Sequence, residues 1–332
     1  MFGSYLTQWD LLVIVFYFVF QFSLGFIFKA FSKDASDYFR GGGSMLWWLV
    51  GASAFMTQFS AWTFTGAAGK AYVDGTLVMA IFFGNALGYF CNYLYTSYRY
   101  RRMRVVTAIE GVRDRFGPVN EQVFTWLQVP MSVVYAGIWL NGLGIVASSF
   151  FNVDPSFTVL IVGVVVVLMS VIGGSWAIVA SDFMQTLLLM SITLVACFLA
   201  LSHPAVDGLS GLLTKLPEGH LKPWDAEDAT FVYFWIFAAF VIQSFKLNNM
   251  FDAYRYLCVK DDKQARKASL MASILMFAGP FIWFIPPMAA RIIQPDLALV
   301  FPELGDKAYE GAFVFIGPVS YTHLRAHETN VD

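Results

Sequence analysis

Eight runs of mostly apolar residues, each about as long as a membrane-spanning helix, divide this sequence. They cover approximately residues 9–28, 46–69, 76–98, 123–150, 156–174, 178–201, 230–254 and 268–293. A helix needs about 20 apolar residues to cross the hydrocarbon core of a bilayer, whereas a membrane β-barrel needs short segments of alternating polarity. Only 13% of the 332 residues are charged, against about a quarter in a soluble domain. We therefore expect an all-α polytopic membrane protein whose partner is the lipid bilayer.

The first run is expected to remain in the protein as a helix. No basic stretch precedes it, and it is longer than the apolar region of a secretory signal peptide. The cysteines, Cys91, Cys197 and Cys258, lie in or at the ends of apolar runs and show neither metal-site nor disulfide spacing. We expect them to be small buried side chains.

The basic residues are distributed unevenly between the two sides of the membrane. With the N-terminus outside, fourteen Lys and Arg residues fall in the inside loops and five in the outside loops. The inside set is Lys29, Lys33, Arg40, Arg99, Arg101, Arg102, Arg104, Arg113, Arg115, Arg255, Lys260, Lys263, Arg266 and Lys267. Because cytoplasmic loops carry the excess of positive charge, we predict a multi-pass protein of the cell (inner) membrane with its N-terminus outside. The arginine-rich loop after the third run fits a topology anchor better than a nucleic-acid contact, and no nucleic-acid partner is expected.

The second run carries polar residues and glycines where a membrane helix is usually apolar. Its central part reads GASAFMTQFSAWTFTGAAGKAY, residues 51–72. A helix interrupted near Gln58–Thr63 would expose carbonyl oxygens suited to a small cation and N–H groups suited to a polar ligand. Alternatively, the small residues allow close packing against another helix. Gly66 and Gly69 fit that alternative well, and Gln58 and Thr63 fit it poorly.

The seventh run has the same character near its end, where it reads VIQSFKLNNMFDAYRYL, residues 241–257. Lys246 and Asp252 are six positions apart, so they do not share a helix face unless the helix breaks between them. Either the helix is interrupted there, or its last turns already line water. Corresponding interruptions in two parts of a chain are typical of inverted-repeat transporters. If the first run is a leading helix, runs two and seven each begin a five-helix repeat.

Asp182 lies near the cytoplasmic end of the sixth run, where a carboxylate is costly. No basic residue lies within a helical turn of it in the sequence. Its role is therefore either to relay a cation or to cap a helix at the water-exposed interface.

The sequence contains no recognisable nucleophile–base or metal-ligand constellation, so we do not expect an enzyme.

The last residues, PVSYTHLRAHETNVD at 318–332, differ from the apolar sequence before them. They resemble the translation of a transposon-type sequencing adapter, so the native sequence is expected to end near Gly317. His323 and His327 are accordingly not predicted to bind a metal.

Three segments resemble the sodium:solute symporter family. DYFRGGGSMLWWLVGASAFMTQFSAWTFTGAAGKAY, residues 37–72, is similar to the family's entry into the first core helix. GGSWAIVASDFMQ, residues 173–185, resembles the GG…TDxxQ pattern of the fifth core helix, with Ser181 in place of Thr. NNMFDAYRYLCVKDDKQARKAS, residues 248–269, resembles the stretch that leaves the sixth core helix.

The resemblance implies a leucine-transporter-type fold, an inverted five-helix repeat with one leading helix, truncated in the second repeat. The leading helix would occupy residues 1–30, the first repeat 45–201, the start of the second repeat 229–317, and the non-native tail 318–332.

The family resemblance also implies a sodium site and a solute site. Sodium would bind the backbone carbonyls of Met56 and Phe59 and hydroxyls of the eighth core helix. The eighth core helix is expected to be missing from this chain. Asp182 matches a position linked to sodium release or to a further sodium site. The residues implied to contact solute are Gln58, Ser60, Thr63, Phe82, Tyr135 and Asn249. Sialate transporters of the family place an arginine at the position of Tyr135, and sugar transporters can carry a lysine at that of Met276. The solute, a sugar, sialate, carboxylate or amino acid, therefore stays open.

The function that follows is sodium-coupled import of a small polar organic solute by alternating access, with the fragment itself expected to be inactive. The alternative is a solute-sensing membrane domain whose C-terminal signalling module is missing. A complete gene that ends soon after the remaining helices would favour transport, and several hundred additional soluble residues would favour sensing.

Overall fold

Membrane-length helices make up most of the structure. The computed structural model describes residues 8–151, 155–222, 229–248, 252–300, 308–313 and 315–316. Within these ranges the regular elements are helices, and one isolated backbone bridge joins Met45 to Val259. The predicted non-native tail and Asn249 lie outside the described residues.

The α-helices follow one another with short connections. They are α1 (Gln8–Lys29), α2 (Ala35–Arg40), α3 (Trp47–Thr57), α4 (Ala61–Phe64), α5 (Gly66–Asp74), α6 (Met79–Cys91), α7 (Ser97–Met103), α8 (Ala108–Phe116), α9 (Pro118–Phe151), α10 (Pro155–Ser202), α11 (Gly208–Lys215), α12 (Ala229–Leu247), α13 (Asp262–Ala278), α14 (Pro280–Trp283) and α15 (Ile285–Ile293). Shorter 3-10 turns cover Gly41–Gly43, Gly75–Val78, Asp252–Leu257 and Leu297–Leu299, and Asn92–Thr96 is a π-helical turn.

Five helical stretches of the described chain are long and apolar enough to cross a bilayer. They are Ala61–Met103, Pro118–Leu140, Ser156–Ser202, Thr230–Leu247 and Asp262–Ile293, and Val15–Lys29 is a shorter apolar helix. The prediction of an all-α polytopic membrane protein is therefore confirmed.

The fifth and sixth apolar runs are joined rather than separated by a loop. Together they form α10, which is 48 residues long and changes direction at Gly174, where φ is 58° and ψ is −156°. A glycine pair at 173–174 is the one local signal of this kink, since a single glycine in an unusual backbone conformation is enough to bend the chain.

The described residues cluster into two compact units. The first unit comprises Met1–Thr57, Cys91–Thr186 and Asn248–Met271, and the second comprises Gln58–Phe90, Leu187–Leu247 and Ala272–Asp332. Each unit draws segments from both of the predicted repeats, and the repeat boundaries themselves stay a prediction.

A tightly packed core holds the first unit together. Its buried members are Met45, Val50, Val179, Tyr256, Cys258, Val259, Ala265 and Ala268. The amide of Met45 donates to the carbonyl of Cys258 at 3.0 Å. A Cβ on Gly51 would lie 2.9 Å from the carbonyl oxygen of Ala268, so α3 and α13 approach each other closely through a glycine, as small residues allow in membrane helices.

The cysteines differ in their burial. Cys258 is completely buried, and this burial raises the pKa of its thiol to about 12, so the thiol stays protonated at neutral pH. Cys91 and Cys197 are free thiols of intermediate exposure.

The second unit uses glycines in the same way. On α6, a Cβ on Gly84 would lie 2.9 Å from the carbonyl oxygen of Ala239, and one on Gly88 would lie 2.8 Å from Leu247. α6 and α12 are therefore in close contact through their backbones.

A histidine outside these helices fixes the end of α5. The carbonyl of His220 accepts from the amide of Thr76 at 2.8 Å and from its hydroxyl at 2.9 Å, and the His220 ring Nε2 lies 3.2 Å from the carbonyl of Tyr72. These bonds satisfy polar groups that the end of a helix leaves without intrahelical partners.

We expect Gly174→Ala to lower the free energy of unfolding by about 1–3 kcal/mol, because the φ and ψ of Gly174 are accessible almost only to glycine. A Cβ there would also lie 2.8 Å from the carbonyl oxygen of Tyr38. Thermal unfolding of the purified chain in detergent measures the effect. Gly137→Ala on α9 is the matched control, since nothing lies within 4 Å of its Cβ position. Equal melting temperatures for the two variants would contradict the assignment of the kink to Gly174.

Candidate functional site

The second apolar run is interrupted where the sequence predicted. The helix α3 ends at Thr57, and α4 begins at Ala61. A second irregularity follows at Thr65, whose φ of −117° and ψ of −86° separate α4 from α5. The chain therefore passes through this run as three short helices, α3, α4 and α5, with non-helical residues between them.

Threonine side chains and nearby amides satisfy part of the backbone at the interruption. The Thr57 hydroxyl donates to the carbonyl of Ser53 at 2.8 Å, and the Thr65 hydroxyl donates to that of Ala61 at 3.1 Å. The amide of Thr63 donates to the carbonyl of Ser60 at 3.0 Å. Such bonds explain how polar residues stabilise a broken helix in a bilayer, where no water is available to replace them.

Gln58 meets a cationic side chain within the second unit. Its Oε1 accepts from Lys246 Nζ at 3.1 Å. Lys246 lies in the last turn of α12, where a cation is favoured by the helix dipole. The helix ends at Leu247 and a 3-10 turn starts at Asp252, so the helix that carries Lys246 ends before Asp252, as the first of the two alternatives requires.

Aromatic rings lie beside the interruption. The Phe59 ring contacts Trp283 edge to face, with centroids 4.5 Å apart, and Phe82 contacts the same indole at 5.5 Å and Phe284 at 5.3 Å. Phe82 and Trp283 are buried. The sequence reasoning missed Trp283, and no local signal distinguished it from the other tryptophans.

The second unit thus holds four of the six residues implied to contact solute. Thr63 is buried, Gln58 is half-buried and Ser60 is exposed, and Phe82 belongs to the aromatic group just described. Tyr135 lies on α9 in the first unit, is 49% exposed and stacks on Trp139 at 6.1 Å. Asn249 lies outside the described residues.

Of the two residues implied to bind sodium through their carbonyls, Met56 lies just before the interruption and Phe59 lies within it. Met56 is half-buried in the last turn of α3 and belongs to the first unit, whereas Phe59 belongs to the second. The last turn of a helix leaves carbonyl oxygens without intrahelical donors, which is what a cation site of this type requires. Their role as ligands stays a prediction.

Asp182 is part of a charged cluster in the first unit. The Ser53 hydroxyl donates to Asp182 Oδ2 and accepts from Arg255 Nε at 2.8 Å. Arg255 Nη2 lies 3.9 Å from the same carboxylate oxygen, and the two side chains are 11% and 19% exposed. We name these residues, Ser53, Asp182 and Arg255, the charged cluster. Sequence reasoning missed Arg255 as the partner because it is remote from Asp182 in the chain.

The neighbouring serine of the GG…TDxxQ-like segment also has defined partners. The Ser181 hydroxyl donates to Gln21 Oε1 on α1 at 2.9 Å and lies 3.2 Å from Gln185 Nε2. A serine at this position therefore contacts the leading helix, and Asp182 next to it contacts α3 through Ser53.

Comparison with solved structures defines the class. The chain superposes on a Na⁺-coupled sialic acid symporter in a substrate-bound, outward-open state with a TM-score of 0.76, covering 92% of this chain and 66% of that one at 20% identity. The fold is therefore the leucine-transporter-type fold of helical membrane transporters.

Residues 38–308 match the sodium:solute symporter family. The chain belongs to the sodium:solute symporter family. Its curated relatives are transporters rather than enzymes.

Three relatives illustrate the range of the family. The chain is 27% identical to the sodium/myo-inositol cotransporter 2 of Bos taurus, over 89% of this chain and 47% of the relative. It is 24% identical to the sodium/glucose cotransporter of Vibrio parahaemolyticus, over 84% of this chain and 54% of the relative. It is 25% identical to the sodium/sialic acid symporter SiaT of Proteus mirabilis (strain HI4320), over 79% of this chain and 54% of the relative. The chain spans about half the length of these curated relatives.

We expect Asp182→Asn to lower the free energy of unfolding by about 1–3 kcal/mol, because it leaves the Arg255 guanidinium without a countercharge in a poorly hydrated position. Adding Arg255→Gln should recover part of that loss, so the double-mutant cycle should show a coupling energy. Denaturant unfolding in detergent measures both values. Asp114→Asn on the exposed face of α8 is the control for removing a carboxylate. Additive effects of the two substitutions would show that the charged cluster is not energetically coupled.

Proposed function

We propose that this chain forms the sodium- and solute-binding part of a symporter that imports a small polar organic solute by alternating access. The observation that carries the proposal is the interruption at Gln58–Ser60 in a membrane helix of a sodium:solute symporter family member. A broken membrane helix presents carbonyls for a cation and N–H groups for a polar ligand at the same depth.

Sodium is the coupling ion in this proposal. The carbonyls of Met56 and Phe59 would bind it together with hydroxyl oxygens from elsewhere in the protein. Oxygen ligands from unwound backbone suit a small hard cation, and the ion in turn orders the segment that holds them. Since binding of sodium and binding of solute change each other's affinity by the same factor, sodium raises the affinity for solute.

The solute in this proposal binds beside the interruption in the second unit. Gln58, Ser60 and Thr63 offer an amide and two hydroxyls, and Phe82 offers an aromatic face. Such a mixture of a few polar groups and an aromatic wall is typical of small-molecule sites. Tyr135 and Asn249 complete the proposed set. The relatives named for myo-inositol, glucose and sialic acid support a small polar solute.

Asp182 takes the role of a cation relay in this proposal. Arg255 Nη2 lies 3.9 Å from Asp182 Oδ2, at the long limit of an ion pair, so a cation would compete with Arg255 for the carboxylate. Arg255 would supply the countercharge when sodium has left, so that the carboxylate is never unpaired in the membrane.

The sodium gradient supplies enough free energy for accumulation. One sodium ion that crosses about 100 mV yields about 2.3 kcal/mol, and a tenfold concentration gradient adds about 1.4 kcal/mol. The sum of roughly 3.7 kcal/mol supports a solute gradient of several hundred-fold per ion. We further infer from the distribution of basic residues that the protein lies in the cell (inner) membrane with its N-terminus outside.

We expect the complete open reading frame that contains these residues to take up solute in proteoliposomes when sodium is outside and not when choline replaces it. Radiolabelled sugars, sialates, carboxylates and amino acids serve as the screen. Asp182→Ala should reduce sodium-driven uptake at least about tenfold through the loss of the relay carboxylate. Uptake that is equal in sodium and choline and survives Asp182→Ala would contradict the proposal.

We expect Gln58→Ala to raise the KM for solute about tenfold with little change in kcat, because it removes one hydrogen-bonding group that binds solute before and after the conformational change. Initial uptake rates over a range of solute concentrations separate the two constants. Gln122→Ala on the exposed face of α9 is the matched control and should leave both constants unchanged. An unchanged KM in Gln58→Ala would remove this residue from the solute site.

A further inference from the structure

A cavity of about 480 Å³ lies in the first unit at the kink of α10. Its walls include Tyr38 and Phe39 from α2, Ile109 from α8, and Val171 and Ile178 from the two sides of the kink. The Tyr38 hydroxyl donates to the carbonyl of Val171 at 3.0 Å. Its walls are predominantly apolar, and its volume is in the range that holds a small organic ligand or a stretch of hydrocarbon chain.

The cavity is continuous with the surface of α10 that faces lipid. Val171 forms part of its wall and is 62% exposed, and Val167 and Leu168 on the preceding turn of α10 are 59% and 44% exposed. Exposed apolar side chains on a membrane helix contact lipid chains. A hydrocarbon chain can therefore reach the cavity from the bilayer without crossing water.

Arg40 is close to the wall of the cavity, and Arg101 is within electrostatic reach of Arg40 and Arg104. We call these three arginines the arginine group. Arg40 Nη1 donates to the carbonyls of Arg104 at 3.2 Å and Val105 at 3.3 Å. Arg40 directly follows Phe39, and Val105 directly precedes Val106, and both Phe39 and Val106 line the cavity. The Arg40 guanidinium is thus next to the rim of the cavity.

The arginine group brings three positive charges together, and one carboxylate, that of Glu110, accepts from the amide of the cavity-lining Val106 at 2.7 Å. Arg101 is within electrostatic reach of Arg40 and Arg104, and of Asp261 and Asp262. Asp262 is already paired with Arg102 at 2.5 Å, so its charge is shared. The Nε of Arg101 is buried and has no hydrogen-bond partner among the described residues. An anion beside this group would relieve the repulsion and supply an acceptor.

We propose that the cavity binds an acyl chain of an anionic phospholipid whose phosphate contacts the arginine group. The apolar walls, the opening toward lipid and the arginine group together match an amphiphile with an anionic head. Basic pockets between transmembrane helices on the cytoplasmic side are known to favour such headgroups. The proposal gives the arginine-rich loop a binding role in addition to setting topology, and it does not depend on the transported solute.

Native mass spectrometry of the purified chain, titrated with dioleoyl phosphatidylglycerol or dioleoyl phosphatidylcholine, tests the proposal. We expect phosphatidylglycerol to be retained at a lower concentration than phosphatidylcholine. Arg104→Gln should raise the apparent Kd for phosphatidylglycerol about fivefold and leave that for phosphatidylcholine unchanged. Arg115→Gln, which removes an exposed arginine of α8 away from the cavity, is its control.

Filling the cavity tests the acyl chain separately from the charge. Ala108 lines the cavity, and Ala108→Trp should abolish the preference for phosphatidylglycerol, whereas Ala136→Trp on the exposed face of α9 should not. If Ala108→Trp does not fold, Ile178→Phe serves the same purpose. Equal retention of the two lipids would overturn the proposal. An unchanged preference for phosphatidylglycerol in both Ala108→Trp and Ile178→Phe would also overturn it. Displacement of the lipid by an equal concentration of glycerol 3-phosphate would also overturn it, because it would show an anion site without a chain site.

Discussion

Backbone polar groups in a bilayer have no water to bond, and the break between α3 and α4 exposes such groups in the middle of an apolar run. The remaining features of the site arise from this constraint. Threonine hydroxyls bond carbonyls on both sides of the break, and Lys246 at the end of α12 bonds Gln58. The Trp283 ring from α14 lies against Phe59, and Phe82 from α6 packs on the same indole. The interruption is therefore supported by specific partners, and the backbone oxygens it frees are what a cation site needs.

The same constraint governs charge. Asp182 is stable in a membrane helix because Ser53 and Arg255 bond to it and to each other. Replacing one member of a buried pair leaves an uncompensated charge, which costs more than the pair itself contributes. The charged cluster joins α3, α10 and the 3-10 turn that follows α12. This arrangement suits the proposed role of Asp182 as a cation relay, because Arg255 already supplies a countercharge for the carboxylate when the ion has left.

Glycines decide how closely the helices approach. Gly51 brings α3 against α13, and Gly84 and Gly88 bring α6 against α12. At Gly174 the glycine has a different use, because its backbone conformation bends α10 and opens the apolar cavity beside Tyr38. The helix packing beside the proposed solute site depends on glycine because it lacks a Cβ, and the kink beside the proposed lipid site depends on glycine because it has access to positive φ.

The sequence alone determined the membrane class, the helical character and the position of the break, since hydropathy and helix-weakening residues act over a few positions of the chain. It also indicated, as one of two alternatives, an interruption between Lys246 and Asp252, because the two polar residues fit no single helix face. It did not determine the partner of Asp182, because Arg255 is remote in the chain and no local pattern connects them. It did not show Trp283 beside Phe59, the half-exposed position of Tyr135 or the joining of two runs into α10. These depend on which helices meet and at what distance, and only the tertiary structure decides that.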